Sequence, residues 1–593
     1  MVVFAALWAC SGGGECPGGD CPENEAPSAP EIFLSPESPF AGETLVCVVG
    51  QEGLDPEGEA LSYRFRWAVD GAAYVATETV NREGDSIASA TTLGGQSWAC
   101  TVTAQDPEGL KSAEVSAEVS VKGVFQGWEE SPVSVSDADY VFVGTSEGGQ
   151  AGRIAMGVGD VDGDGQGDLL ISAHQNDDAG YFAGKVFLIS GGDLQGPDTI
   201  SLADAAYSFH GEGEEDLAGH GIGSAGDLDG DGLMDLFVSG YLHDGGTWDM
   251  GRVYLLLAAN LGEPGDRSLG TADYRFTGEA EGDRLGHGVA SAGDVDGDGF
   301  PDLLTGAYGQ DTSGADAGKV YLLLASGLGA GGDYDIGDAD YQFTGELPGD
   351  KAGFLSSGLG DVDGDGLDDF LFSSKLNDDG GVDAGRVYLF YGADLGSPGE
   401  YPVAGAGEIF VGEGAGDVCC ILTEVGDVDG DAAADLLLGS HYNGELDADA
   451  GKVYLLLASS LEGGVLDLSE ADYGFRGEVG GDEAGHGLAG MGDLDGDGLS
   501  DLLVGSAGYT PDVQLASAGK GYLLLAGELG PPGNYDLGEA AAQTFVGDTR
   551  EEFIGWGVSP AGDVNGDGLT DILIGSQNES LNGLGRAFLF LTP

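Results

Sequence analysis

Positive charge is what this chain lacks. Only 20 of its 593 residues are lysine or arginine, against 104 aspartates and glutamates, and the formal net charge is -84. So few cations cannot hold a phosphate backbone, which excludes nucleic-acid binding. Nor is there a basic patch for anionic lipid. No apolar run approaches the ~18 residues that a membrane-spanning helix needs. Sustained helical periodicity is also missing. The seven cysteines include no paired C-x-x-C spacing, so no zinc site is encoded. Glycine is abundant, at 113 residues, but it has no three-residue period, which excludes collagen. Hydrophobic residues make up 41% of the chain, too many for a disordered acidic tail. The length suggests several domains or one large repeat array. An acid excess of this size implies solubility in salt, or carboxylates committed to cations.

The first residues, Met1 to Cys10, form a short apolar start without a basic flank. Leu7-Trp8-Ala9-Cys10 resembles a bacterial lipobox, in which the cysteine carries lipid. The resemblance implies a lipoprotein signal that starts upstream of Met1, with Cys10 as the lipidation site and lipid as the sole membrane contact. Residues 1–28 are expected as signal remnant and linker, with Cys16 and Cys21 free to pair locally. The cysteines as a set fit an exported, oxidising compartment.

Residues 29–122 carry short alternating runs separated by turn signals: Glu43–Val49, Leu61–Trp67, Trp98–Ala104 and Ala113–Val121. Cys47 and Cys100 could pair across this segment. The order Cys47, Trp67, Cys100 resembles an immunoglobulin-like β-sandwich, in which a buried tryptophan packs on a disulfide between two sheets. Residues 123–137 are expected as a linker.

From residue 138 onward the chain repeats. Seven nine-residue acidic loops begin at Asp160, Asp227, Asp294, Asp361, Asp427, Asp493 and Asp563, spaced by 66 to 70 residues. A fixed period of this length signals a propeller or solenoid. Each period holds a Tyr-x-Phe-x-Gly-like strand, a glycine-rich strand, the acidic loop, an apolar strand and a third run such as Gly318–Leu324. Four short strands per repeat are the content of one propeller blade. The first Tyr-x-Phe-like strand, around Phe142, is surplus at the start, and the last repeat lacks its fourth strand. Pairing the two closes a ring and removes both edges. The expected fold is all-β: a seven-bladed β-propeller over 138–593 behind the sandwich.

Alternating oxygen ligands in a tight glycine-containing turn suit Ca²⁺. The candidate ligands are Asp160, Asp162, Asp164 and Asp168; Asp227, Asp229, Asp231 and Asp235; Asp294, Asp296, Asp298 and Asp302; Asp361, Asp363, Asp365 and Asp369; Asp427, Asp429, Asp431 and Asp435; Asp493, Asp495, Asp497 and Asp501; and Asp563, Asn565, Asp567 and Asp571. Up to seven ions are expected. Position 12, where an EF-hand has its glutamate, is apolar or Thr305, so no EF-hand forms. The unit resembles the FG-GAP repeat of the integrin α-chain propeller, which implies Ca²⁺ in the hairpin between the first two strands of each blade. The Phe-Gly pair is altered here, for example to His220-Gly221, His287-Gly288, His486-Gly487 and Trp556-Gly557, and no inserted ligand-binding domain interrupts the repeats.

Seven of the basic residues share one position: Lys185, Arg252, Lys319, Arg386, Lys452, Lys520 and Arg586. They read as structural ion pairs with Asp216, Asp283, Asp350, Asp417, Asp482 and Glu552, on the face opposite the acidic loops. The recurring histidines read as packing in place of an aromatic. Gly144-Thr-Ser-Glu-Gly148 matches a nucleophile-elbow string, but without the strand-turn-helix setting that an elbow requires. No general acid and base stand out. The expected function is calcium-stabilised, non-catalytic binding or adhesion by an exported protein, a bacterial outer-membrane or cell-surface lipoprotein or else secreted, with an extracellular protein or glycan as ligand. Variable loops carrying Tyr181, Trp248 and Tyr509 mark the working face. The alternative is an FG-GAP-containing enzyme such as a polysaccharide lyase or phospholipase.

Overall fold

A computed structural model describes residues 26–35, 45–51, 53–56, 60–69, 72–74, 79–81, 85–87, 96–107, 109–120, 125, 127–128, 131–194, 199–511, 513–577 and 583–593. Cys10, Cys16 and Cys21 lie outside these residues. The chain divides into two compact units, Met1–Gly123 and Val124–Pro593.

The first unit holds two antiparallel sheets. One contains Glu31–Ser35, Leu45–Gln51 and Asp85–Ile87; the other centres on Ser62–Val69 paired with Ser97–Gln105. Alternating residues of these strands point into one core, where Leu45, Phe65, Trp98 and Val102 are almost wholly buried. A disulfide joins Cys47 of one sheet to Cys100 of the other, with Cα atoms 6.3 Å apart. Trp67 meets Trp98 edge-on beside it, at 6.3 Å between ring centroids.

The second unit consists of seven five-stranded sheets with one repeated order. In the first, Ala155–Gly159, Asp168–Ala173 and Lys185–Ile189 pair antiparallel in sequence, followed by Tyr207–His210. The second strand is buried along its whole length. That accounts for the consecutive apolar residues Leu169–Ile171, in contrast to the alternation of a half-exposed strand. The innermost strands of successive sheets touch, and the last, Ile554–Gly562, touches the first, so the array closes on itself. Crowding at this axis explains part of the glycine content. A Cβ on Gly157 would lie 2.6 Å from the Ala561 backbone, and one on Gly358 would lie 2.5 Å from the Ser291 carbonyl oxygen.

Closure is made by Tyr140–Val143, which pairs antiparallel with Arg586–Phe590 in the register Val143 to Arg586. Leu591 N–H donates to the Asp139 carboxylate at 2.8 Å, as Leu257 N–H does to Asp273 within an ordinary repeat. The seam therefore reproduces the internal bonding pattern.

Two features depart from the expected plan. Each sheet has a fifth strand, because in six cases the chain reaches back after a third strand and adds a short parallel strand to the preceding sheet. Gly265–Ser268 pairs with Tyr207–His210 in this way, and Gly332–Asp335 with Tyr274–Thr277. These segments are short, polar and mostly exposed, so they carry no hydrophobic alternation from which to be read. The second departure is in the stretch expected as a linker, 123–137. There Val133–Ser134 supplies the fifth strand of the Gln543–Val546 sheet, and Trp128 packs edge-on against Phe545 and Phe590. Scattered aromatics in a Gly/Glu/Ser-rich stretch gave no periodic signal.

Removing residues 1–123 is therefore expected to leave a folded repeat unit. Removing 1–148 also takes away Trp128 and the Tyr140–Val143 strand, exposing two sheet edges and promoting aggregation. Size-exclusion chromatography and thermal melting of the two truncations check this; equal behaviour would contradict the closure.

Candidate metal centre

Each acidic hairpin is held by its own carboxylates. In the first, Asp160 accepts from Gly163 N–H at 2.6 Å and from Gly165 N–H at 3.0 Å, while Asp164 accepts from Gln166 N–H at 2.8 Å. These bonds fold the loop so that alternate side chains converge. Carboxylate oxygens of Asp160, Asp162 and Asp168 lie within 4.8 Å of one another, as do those of the matching trios at Asp227, Asp361 and Asp427, and of Asp294, Asp296 and Asp298. The donor set consists of oxygens alone and is charged, which fits a hard cation such as Ca²⁺ and not a soft transition metal.

The ninth position does more than the spacing suggests. Asp168 accepts from Val161 N–H through one oxygen and from Gly191 N–H, 23 residues onward, through the other. The same pair of bonds recurs at Asp235, Asp302, Asp369, Asp435, Asp501 and Asp571, at 2.8 to 3.1 Å. This carboxylate staples the hairpin to the turn that follows the third strand. All seven are buried to within 1% of completely.

Burial raises the carboxyls of Asp168, Asp235 and Asp435 to about 6, and those of Asp302, Asp369, Asp501 and Asp571 to about 7, against the opposing pull of the backbone N–H donors. Burial and the neighbouring carboxylates also raise Asp229, Asp296, Asp363, Asp429 and Asp495 at the third position. Without metal, these groups bind protons more tightly folded than unfolded. Their contribution to stability is complete below the ordinary carboxyl range and is lost as pH rises through 6 to 7.

The basic residues do sit at the far end of the second strand from the hairpins, as Lys185 opposite Ala173 illustrates. Most of their partners are not the expected ones. Arg252 pairs with Glu212 at 2.7 Å, Lys319 with Glu279 at 2.9 Å, Arg386 with Glu346 at 3.4 Å and Lys452 with Glu413 at 2.6 Å; Lys520 pairs with Glu478. Each partner lies four residues before the acid that was expected. Glu552 alone pairs as expected, with Arg586. Asp216, Asp283 and Asp482 instead accept N–H bonds inside their own loop, and Asp350 and Asp417 take an amide from Asn377 and Asn443. In the first repeat Thr145 stands where the others have an acid, and Lys185 turns to Asp178 and Asp266 at 3.4 and 3.3 Å.

On the same face Tyr181 and Trp248 are 54% and 73% exposed. Tyr509 is half-buried, with Lys520 over its ring at 4.7 Å, so it is not the open aromatic expected. The 144–148 string lies in a loop after a strand, with no helix behind it. Cys419 and Cys420 are buried free thiols, and burial pushes Cys420 up to about 11. The signal missed by reading motifs was the one-per-repeat position facing the axis, where Arg153 stands among histidines and aromatics.

The fold and hairpins together define an all-β chain of repeated sheets, each with an acidic hairpin. The FG-GAP repeat model matches residues 151–189, 286–323, 488–524 and 554–590. Among known proteins the chain is 32% identical to integrin alpha-5 of Xenopus laevis over 201 residues, 33% of this chain and 17% of the relative. It is 29% identical to a phosphatidylinositol-glycan-specific phospholipase D of Dictyostelium discoideum over 233 residues, 36% of this chain and 24% of the relative. The chain thus covers less than a quarter of either. A solved exotype rhamnogalacturonan lyase, YesX, aligns over 95% of this chain and 90% of its own at 13% identity, with a TM-score of 0.36, too loose a likeness to bear on activity. No described helix is long and apolar enough to cross a membrane.

Two outcomes are expected. Ala432 occupies the left-handed turn position, at φ 72°, that glycine fills in the other six hairpins. Ala432→Gly should therefore stabilise the protein by ~1 kcal/mol, measured by denaturant unfolding in Ca²⁺. In EDTA the melting temperature should fall between about pH 5 and pH 8, and Ca²⁺ should flatten or reverse that slope. A metal-free protein that gains stability with rising pH would contradict the raised carboxyls.

Proposed function

We propose that this chain is a calcium-stabilised, non-catalytic binding or adhesion protein: a seven-bladed propeller behind an immunoglobulin-like module, exported and held at a bacterial surface through lipid on Cys10. The observation that carries the reading is the convergence of hard oxygen donors in hairpin after hairpin, each stapled the same way. Of the 28 side-chain ligand positions, 27 are acids, Asn565 being the exception. Left without cations, such clusters repel and keep their desolvation cost. An ion that binds only the folded form stabilises it by mass action. The bound ion would supply charge neutralisation and rigidity. The ligand would be an extracellular protein or glycan that meets the loops on the opposite face.

Elemental analysis and melting in Ca²⁺ against EDTA test the metal. Up to seven calcium ions per chain and a large rise in melting temperature are expected, whereas no bound calcium with an unmoved melting point would refute it. For the working face, a glycan and protein array should give a Ca²⁺-dependent ligand, and Trp248→Ala should weaken it without changing calcium content.

A second reading, an enzyme, is favoured by the similarity to the phospholipase D. That match covers a minority of both chains. Turnover of glycosylphosphatidylinositol or polysaccharide substrates by the purified chain would favour this reading over adhesion.

A further inference from the structure

Seven residues before each acidic hairpin, every repeat places one side chain towards the ring axis, at the end away from the hairpins. That position holds Arg153, three histidines (His220, His287 and His486), Cys420, Phe354 and Trp556. Lys375 and His441 join them from the ends of second strands, and together they line one cavity of about 370 Å³. The lining contains no aspartate or glutamate. In a chain of net charge -84, that is a local reversal of sign.

Arg153 and Lys375 form no ion pair among the described residues, although most other strand cations do. They rest on rings instead: Arg153 lies 5.2 Å from the Trp556 centroid and Lys375 lies 4.1 Å from that of Phe354. Arg153 Nε and the Nδ1 atoms of His220 and His441 are buried without a hydrogen-bond partner. Burial holds His287 down to about 3 and His486 to about 4, with Arg153 adding to the effect, so these imidazoles are neutral. Two unpaired cations, with orphaned ring nitrogens between them, repel a metal dication and attract an anion. The apolar part of the wall (Trp556, Phe354, Leu355 and Leu488) would be left wet by a bare inorganic ion.

We propose that this axial cavity binds a small carboxylate-bearing molecule, with its carboxylate paired to Arg153 or Lys375 and its carbon body against Trp556 and Phe354. The site needs only the closed ring, so it stands or falls separately from the calcium and adhesion reading. Calorimetric titration of the full chain in Ca²⁺ with glucuronate, succinate and N-acetylglutamate, each against an uncharged counterpart such as glucose for glucuronate, tests it. At least one acid should bind and its counterpart should not. Arg153→Gln and Lys375→Gln should each weaken binding roughly tenfold or more, as expected for loss of a charged hydrogen bond. Arg153→Lys should retain most of it, and Arg550→Gln, at an exposed cation, should change nothing. Melting curves of the variants separate lost binding from lost fold. Absence of heat with every acid, or unchanged binding in folded Arg153→Gln and Lys375→Gln proteins, would overturn the proposal. So would acetate binding as tightly as the larger acids, or Zn²⁺ binding that survives Arg153→Gln but is lost in His220→Asn.

Discussion

Each repeat depends on one buried aspartate. Asp168 and its six counterparts tie the start of the acidic hairpin to the turn after the third strand, joining three strands of a sheet through one side chain. A carboxylate removed from water is costly, and the two backbone N–H donors offset only part of that cost. The raised affinity for protons in these groups measures what remains. On the proposed reading, a cation held between this carboxylate and those of the first and third positions would supply the rest.

A similar economy shapes the opposite end of most sheets. In six of the seven a cation at the start of the third strand meets a glutamate from the loop entering the repeat, and in three the tyrosine two residues on shares that glutamate, as Tyr321 does with Glu279. Burial alone would raise Glu279, but bonds from Tyr321 and Lys319 bring it below its ordinary range. Six basic residues pair with such a glutamate and Lys185 with aspartates, which leaves Arg153 and Lys375 conspicuous as cations facing a cavity without acids.

Ring closure removes the edges that an open array of sheets would present. It is made twice over. Tyr140–Val143 completes the last sheet, and Val133–Ser134 adds the parallel fifth strand of the sheet before it. The repeated back-reach of the fifth strand stitches each sheet to its predecessor, so no sheet depends on side-chain packing alone to hold its neighbour.

Read alone, the sequence determined the period, the all-β character, the acidic hairpins and the strand that closes the ring. Each rests on a local pattern: alternation, a glycine at a left-handed turn, an aspartate every second residue. Only the tertiary structure decided the fifth strands, the place of Trp128 in the repeat unit, and which acid meets which cation. Gly265–Ser268 has no apolar face to announce it, because it adds to an edge through backbone bonds alone. Asp216 and Glu212 are four residues apart and chemically alike, and the loop's own N–H groups claim the first while Arg252 reaches the second. The axial cavity lay further beyond sequence reading. Its side chains come from all seven repeats, and convergence on a common axis is a property of closure rather than of any stretch of chain.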